Sequence, residues 1–158
     1  MADNKRPSWQ QYFMSFAFLA AERSTCRRRH VGAVATKGDY IIATGYNGPV
    51  SGRPHCTDET CYRMTHNIPS GHELEKCWAT HAEQNVVAQC ARYGISLAGA
   101  TVYVTHAPCI TCSKILIAAG VEYCIYANAY PDNEMSESLW KDRLMQMDFR
   151  STVTWSSL

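Results

Sequence analysis

The chain has 158 residues, 18% of them charged, and a net charge of +1. This length fits one domain whose core needs neither a metal nor a disulfide to form. The near-neutral charge gives no support for a nucleic-acid or membrane partner. No apolar stretch approaches the roughly 20 residues that span a bilayer, and no charged start followed by an apolar segment is present. We therefore expect a cytoplasmic protein.

The first part of the chain predicts a helix, a hairpin and a long loop. Ser8 is a plausible cap for an amphipathic helix that we expect to end at about Arg23. Residues 31–35 and 40–46 have the pattern of two strands joined by a turn. Residues 47–79 lack periodicity and are rich in Gly and Pro, which predicts one loop of roughly 30 residues. Loops of that length are usually functional, disordered or held by extra contacts.

The second part alternates helices with strands. We predict a helix from about Thr80 to Tyr93, a strand at 101–105, a helix that opens with Cys109 and Cys112, a strand at 122–127, a helix at 136–145 and a last strand at 152–155. Strands joined by helices pair in parallel, whereas the hairpin adds an antiparallel edge. The order predicts a single α/β domain over 1–158, with a mixed five-stranded sheet covered by helices.

Two short motifs carry the chemistry: His81-Ala82-Glu83 and Pro108-Cys109-Ile110-Thr111-Cys112. One imidazole and two thiolates fill three positions of a tetrahedral zinc ion and leave the fourth open, as in catalytic zinc sites. Such zinc lowers the pKa of its water from about 15.7 towards about 7. We predict that His81, Cys109 and Cys112 bind catalytic zinc, and that Glu83 is the base for a hydrolytic reaction.

Helix geometry constrains how the two motifs can meet. Residues two apart in a helix point roughly 200° apart, so His81 and Glu83 converge only if His81 precedes the helix with non-helical dihedrals. Cys109 and Cys112 should lie in the first turn of a helix, whose positive end favours thiolates. Alone, either motif could be a redox pair or a solvated helix start; together they favour a zinc site.

The remaining cysteines near the long loop predict a second metal. A closed structural zinc would hold a loop that is otherwise entropically costly. Three histidines of the loop are competing ligands, and the alternative is that these cysteines are free thiols. The predicted structural zinc ligands are Cys26, Cys56, Cys61 and Cys77, with His55, His66 and His72 as competitors.

The sequence resembles the deoxycytidylate (dCMP) deaminases, a branch of the zinc-dependent cytidine deaminase superfamily. The resemblance covers nearly the whole chain and is carried by residues 8–14, 23–26, 31–33, 45–48, 81–83, 103–109 and 119–121. It implies a three-layer αβα cytidine-deaminase-like fold. It also implies hydrolysis of dCMP to dUMP and ammonia, a step towards dTMP, with Glu83 moving the protons.

The resemblance also implies binding and regulatory residues. Asn47 would hydrogen-bond the sugar, and the other substrate-binding candidates are Ser24, Thr25, Ala33 and Tyr130. Subunit contacts and a deoxynucleoside triphosphate effector, dCTP or dTTP with Mg²⁺, would use the segment after Asn47 in a hexamer or trimer-based homo-oligomer. The candidates for this role are Tyr46, Gly48, Gly52 and Arg92. The family order is Gly-Tyr-Asn-Gly-x-Pro, whereas here Pro49 directly follows Gly48.

Several alternatives stay open from the sequence. The substrate could be dCTP, CMP or a 5-substituted dCMP, or a base within a nucleic acid, although that last class usually needs a broad basic face. A catalytically silent zinc-binding protein is a further alternative, which the intact Glu83 disfavours. The run Arg27-Arg28-Arg29 is either a solvated loop or a set of phosphate contacts, because guanidinium groups suit phosphate oxygens.

Overall fold

The computed structural model describes residues 6–131 and 133–149. The helices are α1 (Trp9–Ala21), α2 (Tyr62–Thr65), α3 (Ala82–Tyr93), α4 (Ile110–Ala118) and α5 (Glu134–Trp140). The strands are β1 (Gly32–Lys37), β2 (Tyr40–Tyr46), β3 (Gly48–Pro49), β4 (Ala79–Thr80), β5 (Thr101–His106), β6 (Tyr123–Asn128) and β7 (Leu144–Gln146). Single 3₁₀ turns lie at Leu74–Lys76 and Lys141–Arg143. Within the described ranges, no helix has the length and apolarity needed to cross a bilayer.

The central sheet has five strands in the order β2-β1-β5-β6-β7. β1 is antiparallel to both β2 and β5, whereas β5, β6 and β7 run parallel to one another. The short connection between β1 and β2 can only form a hairpin, while α4 provides the long crossover that a parallel pair requires. The predicted mixed five-stranded sheet is confirmed.

Helices cover both faces of this sheet. Residues of β1 alternate between the two faces, so Val34 packs with Phe13 and Met14 of α1 in one apolar cluster. Ala33 and Ala35 belong to the cluster on the other face, which α3, α4 and α5 cover. The three-layer αβα arrangement implied by the resemblance is therefore confirmed.

The prediction for the C-terminal part was wrong in its boundaries. A helix was predicted at 136–145, but α5 ends at Trp140 and β7 begins at Leu144. Lys141 has φ 58° and ψ −120°, which lies outside the α-helical region, so α5 cannot continue through it. The chain then turns so that β7 pairs with β6 and Leu144 packs against the core. The strand predicted at 152–155 lies outside the described residues.

Residues 47–79, called the insertion loop below, contain more regular structure than predicted. Its ends are joined because β3 pairs with β4 in a separate two-stranded sheet, with Gly48 opposite Thr80. Between them lie α2 and the 3₁₀ turn at Leu74–Lys76. The prediction of one irregular loop is therefore wrong. The segment contains short regular elements, and its two ends pair with each other just before α3 begins.

Close packing of α3 on β2 fixes where α3 begins. Gly45 has no side chain, and a Cβ there would overlap the carbonyl oxygen of Ala82 and lie 2.9 Å from the amide nitrogen of Val86. Asn85 adds two hydrogen bonds, donating to the Tyr46 carbonyl at 2.6 Å and accepting from the Thr80 hydroxyl at 2.8 Å. The first turn of α3 is thus held directly against the end of β2.

We predict that Gly45→Ala lowers the thermal midpoint of unfolding. The added methyl group would overlap backbone atoms that cannot move without displacing α3, and such overpacking typically costs about 1–3 kcal/mol. Calorimetry would measure the shift, with Gly48→Ala as the control because its Cβ would meet atoms no closer than 3.9 Å. Equal midpoints for the two variants would contradict the packing argument.

Candidate active site

His81 precedes α3 in an extended conformation, with φ −74° and ψ 158°. Its backbone N–H donates to the Gln84 side-chain oxygen at 2.9 Å, which fixes the first turn of the helix. The expectation that His81 lies outside regular helix geometry is confirmed. Glu83, in the first turn, is 4% exposed and lines the same cavity as His81.

Cys109 occupies the equivalent position before α4, with φ −67° and ψ 166°. Cys112 is the third residue of that helix, and its backbone N–H donates to the Cys109 sulfur at 3.5 Å. The unpaired amides and the positive end of a helix stabilise negative charge, so this position favours a thiolate. Both predicted halves of the site therefore lie at helix N-termini.

The three predicted ligands meet at one point. The Nδ1 atom of His81 lies 3.6 Å from the Cys109 sulfur and 3.3 Å from the Cys112 sulfur. Tetrahedral zinc with Zn–S near 2.3 Å and Zn–N near 2.0–2.1 Å would separate nitrogen from sulfur by about 3.6 Å. In residues 6–131 and 133–149, no other group of three His, Cys, Asp or Glu ligand atoms meets within 4.8 Å. The donor set and its spacing fit zinc.

The electrostatics of the cluster favour a bound cation. The pKa of Cys109 is lowered to about 4, first by a hydrogen bond from the Cys112 thiol and then by His81, against the effect of burial. The pKa of Cys112 is raised far above its usual value by that same hydrogen bond and by burial. One thiolate forms readily, whereas a second needs a positive charge beside it, which a divalent metal supplies.

Glu83 has the properties of a proton carrier. Complete burial of its carboxyl group raises its pKa to about 7, and the neighbouring His81 acts in the opposite direction. A carboxyl group with a pKa near neutrality can both accept and release a proton at physiological pH.

A cavity of about 420 Å³ opens beside the ligand cluster. His81, Glu83 and Cys109 form one part of its wall. The polar or ionisable groups elsewhere in the wall are Cys26, Arg28, Arg29, Asn47, Arg63, Ser70, His106 and Tyr130. The volume lies within the range of small-molecule sites, which are usually about 300–1,000 Å³.

Asn47 lines this cavity, but its side-chain amide is used within the chain. Its Oδ1 accepts from the Ser24 hydroxyl at 2.7 Å and from the Val31 amide at 2.8 Å. Its Nδ2 donates to the Arg29 carbonyl at 2.8 Å. Asn47 therefore shapes the segment between α1 and β1, and Ser24 is buried behind it. A direct contact with the sugar stays a prediction.

The other predicted substrate-binding residues do not all line the cavity. Tyr130 lines the cavity, and the Arg29 guanidinium lies 5.0 Å from the centre of its ring. Thr25 is not part of the cavity wall, and Ala33 is fully buried within β1. Of these residues, only Tyr130 is positioned by the fold to face a ligand in this cavity.

The run of three arginines divides into different roles. Arg27 is half exposed and forms an ion pair with Asp58 at 2.8 Å. Arg28 and Arg29 both line the cavity. Arg28 also donates to the Arg63 carbonyl at 3.2 Å and to the Ile68 carbonyl, and so holds the insertion loop against the segment after α1. Arg27 therefore lies at the solvated surface, whereas phosphate contacts by Arg28 and Arg29 stay a prediction.

Sequence reasoning missed Arg63 of the insertion loop, which also lines the cavity. It is a single arginine in an aperiodic segment, so neither spacing nor pattern distinguished it. His106, at the end of β5, was named only within the motif of residues 103–109 and was given no role. Burial, and then the charge of Arg29, lowers the pKa of His106, so its imidazole is neutral in the cavity wall.

The candidate regulatory residues lie away from the cavity wall. Tyr46 and Arg92 have exposed side chains. Gly48 is in β3, and Gly52 has φ +88° in the insertion loop. None of the four lines the cavity, so their predicted roles in subunit contacts and effector binding concern another surface.

The second cysteine set, Cys26, Cys56, Cys61 and Cys77, is drawn into one neighbourhood by the insertion loop. The pKa of Cys56 is raised to about 11, first by burial and then by the charges of the other three members. Cys56, Cys61 and Cys77 also line one small cavity together. The sulfur atoms are less tightly grouped than those of the His81 cluster, since no three of them lie within 4.8 Å of one another in the described residues.

We predict that Cys109→Ala removes one zinc ion per chain from the purified protein. With only two protein ligands left, the affinity for zinc becomes too low to retain the ion during purification, because that affinity depends on a complete ligand set. Metal analysis by mass spectrometry would measure the loss, with Cys90→Ala as the control, since Cys90 lies in α3 outside both cysteine clusters. Unchanged zinc in Cys109→Ala would contradict the ligand assignment.

Comparison with known proteins agrees with this geometry. A family model for the cytidine and deoxycytidylate deaminase zinc-binding region matches residues 7–128. ComE operon protein 2 of Bacillus subtilis is 41% identical over 138 residues, which cover 87% of this chain and 68% of the relative. The deoxycytidylate deaminase of Mycobacterium phage D29 is 40% identical over 126 residues, or 77% and 95% of the two chains.

A solved structure of a dCMP deaminase is also similar to this chain. The dCMP deaminase of cyanophage S-TIM5, crystallised with dCMP and dUMP, has a TM-score of 0.73 and 29% identity. The match covers 91% of this chain and 100% of that one. By contrast, the chain spans less than half the length of the two yeast deoxycytidylate deaminases that it matches. The chain belongs to the cytidine and deoxycytidylate deaminase family.

Proposed function

We propose that the protein is a zinc-dependent hydrolase that converts dCMP and water to dUMP and ammonia. The observation that carries this proposal is the buried Glu83 carboxyl group, which lines one cavity together with His81 and Cys109 of the metal cluster. A carboxyl group that is not itself a ligand, next to an open metal position, is the arrangement that hydrolytic deamination requires.

The three metal ligands and Glu83 have different roles in this reaction. His81, Cys109 and Cys112 would hold the metal. When bound in such a site, zinc makes a coordinated water acidic enough to serve as a nucleophile near neutral pH. The Glu83 carboxylate takes up the first proton of the attacking water and delivers it to ring N3. It then takes up the second proton, from the hydroxyl group added at C4, and delivers it to the amine, which leaves as ammonia while the C4 carbonyl forms.

The charges of the cavity support a nucleotide rather than a free base or nucleoside. Three arginines line it, at positions 28, 29 and 63, and Glu83 is the one carboxylate among the described lining residues. An arginine-rich wall suits phosphate oxygens. Because the named relatives include deoxycytidylate deaminases, we propose dCMP as the substrate, with CMP, dCTP and 5-substituted dCMP as the competing nucleotides.

We predict that Glu83→Gln retains zinc but loses most turnover of dCMP. The amide keeps the shape of the side chain yet cannot accept a proton, and general acid–base catalysis is typically worth about 10²–10⁴-fold. The loss would be measured as kcat from the change in ultraviolet absorbance. Glu122→Gln, on the exposed end of the α4–β6 connection, is the matched control. A Glu83→Gln variant with near-normal kcat would refute the assigned role.

We further propose that Cys26, Cys56, Cys61 and Cys77 hold a second, structural zinc ion. Their shared neighbourhood and the effect of their charges on Cys56 support this proposal. Binding would require the four sulfur atoms to come closer together than they are in this structure. Four thiolates would form a closed site with no position for water, which stabilises a loop without adding chemistry.

We predict that Cys56→Ala lowers the zinc content from two ions per chain to one and leaves the catalytic zinc in place. Cys56 is central to the set, so its loss removes a ligand that the remaining thiols cannot replace. Metal analysis on the variant, compared with wild type and with Cys90→Ala, would measure the content. A wild-type content of one zinc per chain would overturn the second site.

Assembly and regulation follow from the family resemblance and stay predictions. A homo-oligomer, hexameric or trimer-based, would use surfaces near Tyr46 and Arg92, both of which are exposed. A deoxynucleoside triphosphate with Mg²⁺ would then bind near the insertion loop as an effector. A cytoplasmic location, where dCMP is present, is part of the same prediction.

A further inference from the structure

Arg63 is a buried cation with an incomplete set of partners. Its side chain is 8% exposed and lines the same cavity as Glu83. One Nη atom donates to the Pro69 carbonyl at 3.0 Å, whereas the Nε atom is buried and has no hydrogen-bond partner among the described residues. The ion pairs within residues 6–131 and 133–149 do not include Arg63.

A buried guanidinium needs an anion. Arginine stays protonated in proteins, so burial cannot be relieved by losing the charge. A buried charge without a counter-charge is strongly unfavourable, and one carbonyl contact compensates only part of that cost. The unpartnered Nε and the cavity beside it indicate that the missing partner is a ligand.

The surrounding groups specify the charge of that ligand. Arg28, Arg29 and Arg63 contribute three positive charges to the cavity wall, whereas Glu83 and the Cys109 thiolate contribute at most two negative charges. The described side chains of the wall therefore carry at least one positive charge in excess, before any metal ion is counted. A phosphate monoester, which carries about −1.5 to −2 at neutral pH, is an anion that such a wall favours.

We propose that Arg63 is a specificity-determining residue that binds the phosphate of the nucleotide and so selects a nucleotide over the nucleoside. This inference rests on the proposed function and assigns the discrimination to the insertion loop. The planar guanidinium can present Nε and an Nη atom together to two phosphate oxygens. Binding of this kind supplies the anion that Arg63 lacks within the chain.

The fold holds Arg63 ready for this contact. Arg28 donates to the backbone carbonyls of Arg63 and Ile68, which anchors the two ends of the segment between them. Arg63 also lines the same cavity as the metal ligands His81 and Cys109. The phosphate contact and the reacting base would thus occupy one cavity.

The test compares two substrates that differ only in the phosphate. We would measure kcat/KM for dCMP and for deoxycytidine in wild type, Arg63→Gln and Arg63→Lys. The matched control is Arg53→Gln, because Arg53 is in the same loop but exposed, with its guanidinium 5.0 Å from the Trp78 ring centre. Zinc content and the thermal midpoint of each variant would be recorded in parallel.

Arg63→Gln should lower kcat/KM for dCMP by about 10- to 100-fold, mainly through KM, and leave deoxycytidine turnover unchanged. Arg63→Lys, which keeps the charge but loses the fork, should fall between wild type and Arg63→Gln. Arg53→Gln should match wild type. An equal loss for both substrates, which indicates a structural role, or an unchanged preference for dCMP would overturn the proposal.

A binding measurement separates this inference from the proposed function. Calorimetry with dUMP and deoxyuridine requires no turnover, so it applies even to a protein that deaminates neither dCMP nor deoxycytidine. Absence of dCMP turnover in wild type would refute the proposed function alone. Equal affinity of wild type and Arg63→Gln for dUMP would refute the role of Arg63 alone.

Discussion

Three ligand atoms, His81 Nδ1 and the sulfurs of Cys109 and Cys112, lie within 4.8 Å of one another, so that one metal ion can bind them all. The fold brings these atoms together because the N-termini of α3 and α4 lie next to each other. Each helix is preceded by a ligand in extended conformation, and β5 delivers Cys109 from the centre of the sheet. Gly45 allows α3 to approach β2 closely enough for His81 to reach the thiols.

The insertion loop forms another part of the cavity wall. It begins and ends at the β3–β4 pair, directly before His81, and contributes Arg63 to the cavity wall. Cys61 lies two residues before Arg63. A metal held by Cys61 and its partner cysteines would therefore restrict the segment that carries the phosphate contact. In this account, loop stability and substrate selection are properties of the same short stretch of chain.

Strong local signals made the metal cluster predictable from sequence. His81 and Glu83 can converge only if His81 precedes the helix, and that constraint predicted the start of α3 near Thr80, two residues before its observed start at Ala82. The end of α5 was missed because the polar residues near Lys141 carry no stop signal, and β7 forms only through pairing with β6. Arg63 and the three hydrogen bonds of Asn47 depend on contacts between distant segments, which one sequence does not reveal.

The most direct measurement of the central claim is a competition assay with the zinc-loaded wild-type protein. Equal concentrations of dCMP, CMP, dCTP and deoxycytidine would be incubated together, and the deaminated products separated by chromatography. The account predicts that dUMP forms fastest and that the ammonia released equals the sum of the deaminated products. Dominant formation of another product, or no deamination of any of the four, would contradict it.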